Sequence, residues 1–138
     1  NVQMTRGELH KAQAVYRQTG RVDQGRILHP LTGRTATGNT TGSAIDYSAS
    51  ATGGGAAYLQ INSLEGASAT GIVVDIKHSA DNLTFSSWGS FSAVTASGPS
   101  AQRFTSTAVL QRYAAVRWTA GTGFPSTATF LVGLARYT

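Results

Sequence analysis

Apolar and polar residues alternate with a period of two over most of the chain beyond residue 43. In residues 56–63, Ala57, Leu59 and Ile61 share one face, and Tyr58, Gln60 and Asn62 the other. In residues 71–78, Ile72, Val74 and Ile76 face one way, and Val73, Asp75 and Lys77 the other. Residues 112–119 set Ala114, Val116 and Trp118 against Tyr113, Ala115 and Arg117, and residues 127–137 place Phe130, Val132 and Leu134 together. Shorter strands are expected at 44–47, 90–95 and 102–107. The punctuation between them is turn chemistry: a glycine run at 53–55, Asp81-Asn82 after Ser79, and Gly98-Pro99. About seven strands in roughly 95 residues is the spacing of a two-sheet sandwich. The expected fold is all-β, immunoglobulin-like or jelly-roll. Its expected common core is Ile72, Val74, Ile76, Val116, Trp118, Phe130 and Val132.

The first part of the chain reads differently. In residues 7–18, Glu8, Lys11 and Ala12 suit a helix face, while Ala12, Ala14 and Tyr16 suit a strand. Thr19-Gly20 reads as a turn into a second strand at 24–29, which Pro30 closes. Residues 31–42 have the composition of a loop or linker. Charge follows the same division. Residues 1–38 carry Arg6, Lys11, Arg17, Arg21, Arg26 and Arg34 against Glu8 and Asp23, a net +4 of the total +5. Residues 1–38 are therefore expected to form an extended basic arm, or the end of another β domain, and 39–138 a sandwich that folds without them. The chain opens on Asn1, so a processed or partial sequence is expected.

Composition narrows the chemistry. Charged residues make up only 12% of the chain, about half the usual share, and Gly, Ala, Ser and Thr take their place. There is no cysteine, which removes disulfides, zinc–thiolate sites and thiol nucleophiles. No run reaches the roughly 18 apolar residues of a membrane helix, so no membrane insertion is expected. His10, His29 and His78 lack the close spacing of a metal motif, and the aspartates lack an Asp-x-Asp pattern. Gly121-Thr122-Gly123 stands in a turn, not ahead of a helix, and there is no Gly-x-Ser-x-Gly elbow. No catalytic, cofactor-binding or metal-binding residue is assigned, and no enzyme is expected. Trp88 and Tyr113 are the candidates for an exposed aromatic platform that would stack on a sugar; the other reading of Trp88, and the favoured one, is packing at the core edge or in a loop.

Several stretches resemble one family. Residues 25–31 (Gly-Arg-Ile-Leu-His-Pro-Leu), 35–42 (Thr-Ala-Thr-Gly-Asn-Thr-Thr-Gly), 53–61 and 74–82 are similar to the major tail proteins, or tail-tube subunits, of long-tailed bacteriophages. Residues 101–104, 111–113 and 128–136 continue the likeness. These are strand and turn motifs, not catalytic signatures. The resemblance implies a tail-tube, minor tail or decoration protein in the virion, self-assembling and bound to other virion proteins. On that reading residues 39–138 correspond to the outer sandwich. Arg17, Arg21 and Arg26 would lie at a subunit contact, with ion pairs to acidic neighbours. Nucleic acid is not the expected partner, because few basic residues interrupted by acidic ones bind phosphates weakly. The alternative is a carbohydrate-binding sandwich that attaches to a host surface through Trp88 and Tyr113.

Overall fold

The computed structural model describes residues 23–65, 71–121 and 127–138. Nine strands follow one another in these residues: β1 (Gly25–Arg34), β2 (Gly38–Asn39), β3 (Ile45–Asp46), β4 (Gly55–Leu64), β5 (Ile72–Ser79), β6 (Ser86–Ser90), β7 (Ser100–Ser106), β8 (Tyr113–Ala120) and β9 (Ala128–Arg136). One sheet has the order β1-β9-β4-β7. The other has β2-β8-β5-β6, with β3 also on β8. Every pairing is antiparallel.

β2 and β3 meet β8 at successive registers, Gly38 opposite Trp118 and Ile45 opposite Ala114, so they act as one interrupted edge strand. The pairs then nest: β5 with β6 innermost, β4 with β7, β2 and β3 with β8, and β1 with β9 outermost. Eight strand positions nested this way across two layers make a jelly roll. The immunoglobulin alternative does not fit, because its first two strands are neighbours in one sheet.

The expected core is where the alternation put it. Ile61, Val74, Ile76, Val116, Phe130 and Val132 are fully buried, and Ile72 and Trp118 nearly so. Each such side chain contributes roughly 1.5–3 kcal/mol on leaving water. Ala115 departs from its pattern, being buried on the face that Tyr113 and Arg117 share. The turn after β5 uses the expected aspartate: Asp81 Oδ1 accepts from the amides of Leu83 and Thr84, both at 2.9 Å, and from Ser79 Oγ at 2.7 Å. Those donors hold its carboxyl down to about 2. At the entry to β4, Gly54 has φ of +75°, and a Cβ there would fall 1.9 Å from the Ser106 carbonyl oxygen.

Two expectations are corrected. The strand expected at 90–95 is displaced: its regular part is β6, at 86–90, which carries Trp88 and pairs with β5, and beyond it only an isolated bridge, Val94 to Ile72, continues the pairing. A sequence such as Ser-Ser-Trp-Gly-Ser has one apolar residue and so no visible alternation. The division at residue 38 also falls elsewhere. The helix-or-strand segment 7–18 lies outside the described residues, but β1 is a full edge strand of the sandwich, paired with β9 from Gly25 to Arg34. It runs through Pro30, which an edge strand tolerates, and two register shifts flank that region. The expected linker is stitched along β8: Trp118 Nε1 donates to the Ala36 carbonyl at 2.7 Å, and Thr37 and Thr40 hydroxyls accept from the amides of Ala120 and Val116, both at 2.9 Å.

Candidate functional site

Polar chemistry gathers around β1. Its register shifts let two consecutive residues, Leu28 and His29, both turn inward, which a regular strand forbids. His29 is completely buried, stacked on Phe130 with ring centres 4.3 Å apart. Its Nδ1 lies 3.2 Å from the Phe130 carbonyl, and its Nε2 accepts from Arg34 Nε at 2.8 Å. That geometry assigns the proton to Nδ1 and keeps the ring neutral. Burial, then the nearby Arg34 charge, depress its pKa below 6.5. Arg34 in turn lies over the Trp118 ring, 4.8 Å from its centre.

Outside this plug, Ile27 and Leu31 of β1 are 56% and 55% exposed. A groove of about 320 Å³ runs beside Ile27, lined by Asp23, Tyr58, Gly133 and Ala135. Asp23 is its polar anchor. It accepts from the Tyr58 hydroxyl, from Tyr137 Oη at 3.0 Å, and from Arg103 Nη2 at 3.2 Å. These donors, Tyr58 first, lower its pKa against the opposing effect of desolvation.

On the other side of Arg26 lies a second groove, of about 300 Å³, lined by Gln24, Gly25, Arg26, Tyr47, Leu134 and Arg136. The guanidiniums of Arg136 and Arg26 sit 4.4 Å and 5.6 Å from the centre of the Tyr47 ring. Nearby, Arg112 holds Asp46 with two bonds, of 2.7 Å and 2.6 Å. That fork brings the Asp46 carboxyl down to about 2.

The residues singled out in the sequence separate. Arg26 stands on β1 between the two grooves, exposed. Arg17 and Arg21 lie outside the described residues. Trp88 is only 8% exposed, and its Nε1 donates to the Ala108 carbonyl at 3.0 Å. It packs against Phe104, so its ring offers no face to a sugar. Tyr113 is half-buried under Arg112, whose guanidinium carbon lies 4.9 Å from the ring centre. The expected Trp88–Tyr113 platform is corrected accordingly: Trp88 lies on the buried face of β6, held there by the Ala108 carbonyl and the Phe104 ring. Among the described residues, no group of three His, Cys, Asp or Glu is placed to hold a metal ion. No helix among them is long and apolar enough to cross a membrane.

Sequence reasoning missed Tyr47, Tyr58, Asp23, Arg103 and Arg136 as a surrounding set. They come from five separate stretches of the chain, and only the folded arrangement of the strands brings them together. No protein-family model matches this chain, and no curated protein matches it.

Proposed function

We propose that this protein is a structural, non-enzymatic component of a bacteriophage virion, of the tail-tube, minor tail or decoration kind. It assembles with copies of itself through the β1 side of the sandwich. The observation that carries this reading is the pair Ile27 and Leu31, two large apolar side chains more than half exposed on one edge strand. Exposed apolar groups concentrated at a sheet edge favour protein contact. Arg26, between them and the basic groove, supplies charge for an acidic neighbour. The resemblance of residues 25–31 to tail-tube subunits falls on this same strand.

Pro30 and the register shifts break the outer hydrogen-bonding edge of β1, so contact there is by side-chain packing. Strand addition has a better template in β7, the opposite edge of the same sheet, seven residues without proline. The jelly roll itself does not choose the role, since virion and lectin domains both use it. The sugar-binding alternative loses its main support with the burial of Trp88.

The test is light scattering and electron microscopy of the full chain beside a double variant, Ile27→Asp with Leu31→Asp. Rings, tubes or large oligomers in the parent, lost in the variant at an unchanged melting temperature, support the reading. Removing residues 1–22, and with them Arg17 and Arg21, is expected to weaken assembly further. A parent that stays monomeric at high concentration sinks it.

A further inference from the structure

Among the described residues, the buried side-chain polar atoms with no hydrogen-bond partner are Tyr47 Oη and Arg136 Nε. Both belong to residues lining the same groove of about 300 Å³. Native folds leave few such atoms, and each asks for an explanation such as a missing water or ion. Two at one place ask for a ligand that accepts two hydrogen bonds.

Charge points the same way. One tyrosine ring carries two guanidiniums, and neither pairs with a carboxylate among the described residues. Arg136 donates to the carbonyls of Tyr47, at 3.5 Å, and Ala49. Arg26 donates to the Asp46 carbonyl at a long 3.4 Å. The nearby acid, the Asp46 side chain, is committed to Arg112. Two like charges left without a counter-ion repel, and more strongly where water is displaced. Burial lowers the Arg136 guanidinium from its ordinary value. Burial also raises the Tyr47 hydroxyl, so it is protonated at neutral pH and able to donate.

We propose that the groove between β1, β9 and the segment following β3 binds a carboxylate group. Tyr47 Oη and Arg136 Nε take one face of it and the Arg26 guanidinium the other. The donor set selects this class. The two orphan donors match the two oxygens of a planar carboxylate, one each, and the exposed Arg26 guanidinium can face both. Arg26 is exposed and held by its single long bond, so it swings aside to admit the group and closes over it. The carboxylate belongs either to a small free acid or to a glutamate or aspartate of another chain. The inference stands whether or not the protein assembles.

The experiment is calorimetric titration and thermal melting of the full chain at constant ionic strength. The probes are acetate, an end-capped glutamate peptide and inorganic phosphate, against a chloride baseline. A saturable response to acetate or to the peptide is expected, and the tighter of the two names the source. Tyr47→Phe, which keeps the ring, and Arg26→Gln, at an exposed position, are each expected to weaken binding by about ten-fold. Absence of saturable binding by both carboxylates overturns the proposal. So does phosphate binding at least as tightly, or affinity unchanged in Arg26→Gln.

Discussion

The centre of the second sheet and the edge of the first are held by different physics. β5 and β8 pair without a register break from Ile72 opposite Ala120 to Ser79 opposite Tyr113. Their inward positions are Ile72, Val74, Ile76, Ala114, Val116 and Trp118, and the alternation of positions along each strand decides which face is which. β1 has two register shifts, a proline, and a buried histidine that needs two hydrogen bonds to be tolerated there. A central strand pair tells its face from its sequence period. An edge strand tells it through specific polar partners on distant strands.

The sharpest way to break this contrast is to remove the edge. A chain of residues 39–138 loses β1, and with it Leu28, His29 and the cover over β9. We expect it to lose cooperative thermal unfolding; a sharp transition in calorimetry would show that β1 is an accessory. Next, Trp118→Ala at the centre is expected to cost about 3–5 kcal/mol, and Leu28→Ala at the edge about 2 kcal/mol, in urea titrations. Equal costs would erase the distinction.

A pH series separates the two regions by charge. His29 and His78 both have folded-state pKa values below 6.5, through burial in each case first. The unfolded chain then binds more protons, so stability is full above about pH 6.5 and falls as pH drops through that value. Protonated His29 would also face Arg34 with two donors and no acceptor. We expect His29→Gln to flatten most of the change in urea midpoint between pH 7 and pH 5, and His78→Gln to flatten less. Below 3.8 a second loss begins, as Asp46 and Asp81 are protonated on the way down to about 2. The smallest effect is expected from Arg112→Gln. It breaks an ion pair whose two side chains are both more than 40% exposed, and the melting temperature at pH 7 should not move measurably.

The same contrast explains what was legible in the sequence. β4, β5, β8 and β9 are readable because half-buried strands repeat every two residues, and their apolar faces are the observed core. The extent of β1 was not readable. Pro30 looks like a stop unless the strand is known to be an edge, and the consecutive burial of Leu28 and His29 follows from shifts that only the partner strand sets. The division by charge at residue 38 tracked composition, which does not report pairing. The grooves beside Arg26 were beyond reach for a related reason. Arg26 was legible as a basic residue, but Tyr47 and Arg136 join it from positions 21 and 110 residues further along the chain.

The nested order of strands also sets a sequence of events in time. The β5–β6 pair closes across a short turn, whereas His29 meets Phe130 across 101 residues. Loop closure grows costlier with separation, so the inner pairs are expected to form first and β1 to dock last. Substitutions in β1 are then expected to speed unfolding and leave the refolding rate nearly unchanged. During synthesis, β1 emerges about 100 residues ahead of β9, its partner strand. Until β9 is released, Leu28 and His29 lack the strand against which they are buried in the folded chain.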